Sequence, residues 1–103
     1  MKAAVANKTK LIQELYNNRN QIKSFGVKQL GLFGSFVSGK MQSSSDVDFI
    51  VEFEEGKKTY DNFMALSFYL EELLGRNVEL LTPQSLSKYI GPHILKQVEN
   101  VSL

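Results

Sequence analysis

Between Asp46 and Phe53 the chain alternates so regularly that it dictates a sheet. Val47, Phe49, Val51 and Phe53 are separated by Asp48, Ile50 and Glu52. Successive strand side chains point to opposite faces, so the segment predicts a strand with one apolar face that other elements must cover. Two further segments qualify as its neighbours. Val27 to Phe33 is rich in apolar residues and reads as a buried strand. Asn77 to Leu81 reads as a short one, with Glu79 facing opposite to Val78 and Leu80.

Helical spacing accounts for most of the remainder. From about Asn7 to Phe25, Leu11, Ile12, Leu15, Tyr16 and Ile22 form one stripe, and Gly26 follows as a C′ residue. Asp61 to Leu74 repeats Phe63, Leu66, Leu70 and Leu73 and ends at Gly75. Ser35 to Lys40 predicts a short helical turn, and Gln42-Ser43-Ser44-Ser45 a polar loop. Thr82-Pro83 reads as a cap with proline at the first helical position. Gly91-Pro92 then precedes a last helix carrying Ile94, Leu95, Val98 and Val101. The order α-β-α-β-α-β-α predicts an α/β (α+β) domain over residues 1–103: a small mixed three-stranded sheet with helices packed on it.

Composition narrows the function classes. A net charge of +1 provides neither a nucleic-acid footprint nor a polybasic membrane anchor. The absence of cysteine excludes disulfides and thiolate metal sites and suits a cytoplasmic protein. The opening Met1 to Ala6 run breaks at Asn7-Lys8, too soon for a signal peptide, and no stretch approaches bilayer-spanning length.

The chemistry-bearing residues concentrate in one place. Two of the three aspartates, Asp46 and Asp48, stand two residues apart, and on a strand they project from one face about 7 Å apart. Carboxylates so placed can converge on a hard divalent cation such as Mg²⁺, which prefers oxygen ligands and shares them with phosphates. Ten residues earlier, Gly34-Ser35 follows an apolar strand, where exposed backbone N–H groups suit phosphate oxygens. Glu79 shares the aspartates' face if its strand lies beside theirs. Clustered carboxylates repel and need a cation, which marks a metal site rather than a stability device. Ser45 adjoins the pair, and Lys40 is placed either to reach a triphosphate or to lie solvated. His93, the sole histidine, reads as a surface residue at a helix start.

Gly34-Ser35, ten residues and then Asp46-Val47-Asp48 resembles the motif of minimal nucleotidyltransferases of the DNA polymerase β superfamily. The likeness runs from Leu30-Gly31-Leu32-Phe33-Gly34-Ser35 through Phe53, and on into Val78-Glu79-Leu80-Leu81-Thr82-Pro83 and the Ile94-Leu95 helix. It implies that Asp46, Asp48 and Glu79 bind Mg²⁺, two ions by the family pattern, and carry the catalysis. It also implies that the Gly34-Ser35 turn holds the nucleotide phosphates, with Ser45 and Lys40 as further candidates for nucleotide binding. Two positions depart from the family pattern: Glu79 where aspartate is usual, and Ser38 where an arginine usually precedes the second glycine.

Relatives this small resemble antitoxins that transfer AMP from ATP to a tyrosine of a HEPN-domain toxin. The implied partners are therefore a nucleoside triphosphate and that toxin, with no direct nucleic-acid or membrane binding. Two other readings fit the residues less closely: an inactive antitoxin that only binds its toxin, and an enzyme modifying a small molecule.

Overall fold

The computed structural model describes residues 3–103; Met1 and Lys2, which begin the opening run, lie outside the described residues. Three strands fall where the alternation places them: β1 (Val27–Phe33), β2 (Val47–Phe53) and β3 (Val78–Leu81). β1 and β2 are antiparallel, and β2 and β3 run parallel. The expectation of three strands is corrected by a fourth, β4 (Glu99–Val101), antiparallel to β1 with Val101 opposite Leu30. The sheet order is β3-β2-β1-β4. β4 has a single buried position, Val101, so it is too short to display a period.

The helices are α1 (Lys8–Asn17), α2 (Arg19–Ser24), α3 (Ser35–Ser38), α4 (Tyr60–Leu74) and α5 (Gly91–Gln97). Asn7 caps α1 by accepting the Lys10 N–H (2.9 Å), and Thr59 caps α4 by accepting that of Asn62 (3.1 Å). The single helix expected over Asn7 to Phe25 is broken at Asn18, whose side-chain amide donates back to the Glu14 carbonyl (2.8 Å). After Thr82-Pro83 the chain makes one 3₁₀ turn, Pro83–Ser85, closed by the Ser85 hydroxyl donating to the Thr82 carbonyl (2.7 Å). The last helix stops before Val98, which is already extended and leads into β4.

The two faces of the sheet bury different things. Leu30, Leu32, Val47, Phe49, Val51, Leu80 and Val101 form one core with Leu11 and Leu15 of α1, Ile22 of α2, Phe36 of α3 and Leu66, Leu70 and Leu74 of α4. A register shift between Val27 and Gln29 lets Val27 join that layer. The opposite face carries Gly31, Phe33, Asp48, Ile50, Glu52 and Glu79, which follow from the register. Because β3 and β4 lie at opposite edges, residues 82–98 must cross the sheet. They cross on this second face, where Pro83, Leu95 and Val98 line a groove of about 270 Å³ with Gly31, Ile50 and Glu52. Gly31 permits that crossing, since a Cβ there would run into Val98 and come within 3.0 Å of Ile50 Cγ2.

Candidate active site

Pairing in the sheet builds the site. Asp48 lies between Phe33 of β1 and Glu79 of β3, directly in register with both. The Asp48 carboxyl is half-buried and hydrogen-bonds to the Glu79 carboxyl. Its pKa is pushed up from 3.8 to about 6, first by burial, then by that hydrogen bond and by the charges of Glu79 and Asp46. Burial and the neighbouring acids thus make Asp48 take up a proton more readily than an ordinary aspartate.

Gly34 lies against the Asp48 member of this pair. It follows β1 at φ 78° and ψ −149°, a conformation that favours glycine, and caps α3. A Cβ at Gly34 would come within 3.0 Å of the Asp48 Cγ and closer still to Oδ2. The glycine is therefore required twice, by its dihedral angles and by the carboxylate lying against it. Its carbonyl receives the N–H groups of Val37 and Ser38 (both 3.0 Å), while the first N–H groups of a helix lack intrahelical acceptors.

The other expected site residues divide. Ser35, half-buried, opens α3, and its carbonyl takes the Gly39 and Lys40 N–H groups (3.1 and 3.2 Å). Asp46 lies one residue before β2 and is exposed, close enough to raise the pKa of Asp48. Among the described residues no three acidic, histidine or cysteine side chains converge on one ion position. The structure thus brings Asp48 and Glu79 together and leaves Asp46 at the rim. The Ser45 hydroxyl accepts the Gln42 N–H (2.7 Å) and so shapes the loop ahead of Asp46. Lys40 is exposed beyond the turn, and His93 is exposed on α5, as its sequence position suggested.

One residue escaped the sequence reading. The half-buried guanidinium of Arg76, between α4 and β3, donates to loop carbonyls just before Asp46. Its hydrogen-bond acceptors are backbone carbonyls, which no side-chain pattern in the sequence marks.

Two carboxyls thus stand in register on one face of a mixed sheet beside a glycine turn, and comparison with known proteins identifies the family. The nucleotidyltransferase domain model matches residues 12–101. The chain belongs to the nucleotidyltransferase domain family. It is 43% identical over 74 residues to the protein adenylyltransferase MntA of Thermococcus cleftensis, covering 72% of this chain and 74% of that protein. Its fold is similar to a solved chain assigned as a minimal nucleotidyltransferase, with TM-score 0.69, 28% identity and coverage of 85% of this chain and 93% of that one. It also matches a structure of a tri-AMPylated Shewanella oneidensis HEPN toxin in complex with its MNT antitoxin. There the TM-score is 0.56, identity 21% and coverage 93% of this chain and 69% of that one, a likeness of fold. The expected fold and nucleotidyltransferase activity therefore hold. Among the described residues no helix is long and apolar enough to cross a membrane.

Proposed function

We propose that the chain, acting as one domain over its 103 residues, transfers AMP from ATP to a tyrosine hydroxyl of a HEPN-type toxin and thereby acts as a cytoplasmic antitoxin. The observation that carries this reading is the Asp48–Glu79 carboxyl pair standing in register beside the Gly34 turn. The 43% identity to a protein adenylyltransferase and the fold shared with the antitoxin of an AMPylated toxin supply the acceptor class.

The donor set fits Mg²⁺: all-oxygen, anionic and crowded enough that Asp48 takes up a proton more readily than an ordinary aspartate. Asp48 and Glu79 would hold the cation, with Asp46 joining from the rim. When bound, Mg²⁺ neutralises triphosphate charge and orients the reacting groups. The Gly34-Ser35 turn presents backbone N–H groups to the phosphates. Glu79, exposed at the mouth of the site, accepts the proton of the acceptor hydroxyl. The acceptor oxygen then bonds to the α-phosphorus, the bond from that phosphorus to the bridging oxygen breaks, and pyrophosphate leaves. Positioning and charge neutralisation supply most of the rate.

Incubation with α-labelled ATP, Mg²⁺ and a cognate HEPN toxin tests this directly. Label should appear on a toxin tyrosine and vanish with Asp48→Asn. Silencing of the toxin without label transfer would establish a binding-only antitoxin instead, and label on small acceptors alone would establish a small-molecule enzyme.

A further inference from the structure

Asp46 has the least support of the three acids. It lies outside β2 and is exposed at the end of the 42–45 loop, whose residues are polar and mostly exposed. A ligand so placed is useful only if the backbone on both sides of it is held.

Both sides are held by consecutive residues of the α4–β3 connection. Before Asp46, the Arg76 Nη1 donates to the Ser45 carbonyl (2.8 Å) and is shared with the Gln42 and Ser43 carbonyls (3.2 Å each). After Asp46, the Val47 N–H donates to the Asn77 carbonyl (2.9 Å). The Arg76 Nε donates to the Val5 carbonyl (2.9 Å), which fixes the guanidinium from behind. The same guanidinium lies over the ring of Phe36, 5.0 Å from its centroid. Phe36 is buried in α3, next to Ser35 of the phosphate-facing turn.

We infer that Arg76 is the positioning residue of Asp46, and that it ties the metal-binding loop to the Gly34-Ser35 turn. The inference rests on the reading of Asp46 as a metal ligand. The charge of Arg76 is directed to carbonyl oxygens, and these bonds hold the loop that carries Asp46 near Asp48. Only a planar, forked donor can serve Val5 on one edge and three loop carbonyls on the other while stacking on a ring. A lysine ammonium reaches at most part of that set.

The test uses Mn²⁺ as a spectroscopic substitute for Mg²⁺, with the full chain and a non-hydrolysable ATP analogue, read by electron paramagnetic resonance and calorimetry. Arg76→Lys should fold and weaken Mn²⁺ binding by about tenfold or more, the scale on which supports of metal ligands act. Asp46→Asn should weaken it similarly, and the double variant should be no worse than Asp46→Asn alone, because Arg76 acts through Asp46. Hydrogen exchange of the Ser45 and Val47 amides should quicken in Arg76→Lys, and this readout holds for Arg76→Gln if lysine folds poorly.

Folded Arg76→Lys with wild-type Mn²⁺ affinity, or a double variant whose losses add in full, overturns the positioning role. If Asp46→Asn leaves Mn²⁺ affinity unchanged, the reading of Asp46 as a ligand fails and the inference falls with it. If Arg76→Lys weakens binding but Asp46→Asn does not, Arg76 acts through another group.

Discussion

Replacing Asp48 by asparagine should stabilise the metal-free protein by an amount that depends on pH. The Asp48 carboxyl rises from 3.8 to about 6 on folding, with burial the largest cause and Glu79 and Asp46 adding to it. A carboxyl raised in this way binds more protons folded than unfolded between those values. Its stabilising protonated form is fully present below about pH 4, and stability is lost as pH rises through about 6. A shift of that size, if fully realised, corresponds to about 3 kcal/mol. Asp48 is only half-buried, and solvent screening reduces the cost to about 1–2 kcal/mol. Asparagine keeps the size, cannot ionise and offers an amide donor to Glu79. In the presence of EDTA, urea titrations at about pH 7 should show Asp48→Asn more stable by about 1–2 kcal/mol, or roughly 5–10 °C in thermal melts. The two proteins should converge near about pH 4, while transfer activity is lost at every pH. Parallel stability profiles across this range, or a wild type more stable at neutral pH, would refute the reasoning.

Gly34→Ala should cost about 1–2 kcal/mol from its positive φ alone, and more from the contact with Asp48. The same change in an Asp48→Ala background should cost measurably less in denaturant titrations, and equal costs would free Gly34 of its link to the carboxylate. Glu79→Gln should leave ATP affinity within a few-fold and lower single-turnover AMP transfer by about 10²-fold or more, whereas Glu79→Asp should retain activity. Unchanged transfer by Glu79→Gln would make Glu79 a bystander. Gly31→Ala should lower the thermal midpoint, at a cost of about 1–3 kcal/mol, by driving a methyl into Val98 and Ile50. An unshifted melting curve would show that the α5 crossing is looser than the structure places it.

What was legible in the sequence followed from periodicity and parity. Val47, Phe49 and Val51 announce the strand and its buried face, and all three are buried in the core. The opposite parity of Glu79 was enough to put it on the Asp48 face once β3 lay beside β2, and the register joins the two directly. β4 was hidden because Glu99, Asn100 and Val101 offer one buried side chain, and its strand character comes from pairing with β1. The break at Asn18 was hidden for a related reason: a side-chain bond to a carbonyl four residues back competes with the helix without disturbing the apolar stripe. Gly34 was half-read, since its phosphate-facing role was expected while the Asp48 carboxylate against it was not. Arg76 could not be read at all. Its hydrogen-bond partners are backbone carbonyls, which every residue carries, so no pattern of side chains marks them.

Glutamate at position 79, where the resembled family usually has aspartate, makes sense in this register. Neighbouring strands lie about 4.8 Å apart, and the Asp48 side chain rests on the bare backbone of Gly34. The additional methylene gives Glu79 the reach to bring its carboxyl onto that of Asp48 while its residue stays exposed. A site optimised for folding would set a base against Asp48. Here the cation nearest Glu79 in sequence, Arg76, is turned toward loop carbonyls and a phenyl ring. The carboxylates are left to repel one another, a local conflict of the kind that marks functional sites. A ligand that brings positive charge to this face relieves that repulsion and stabilises the folded state by linkage. On the proposed function, the free energy that the carboxyl pair costs the metal-free protein reappears as affinity for the metal-nucleotide.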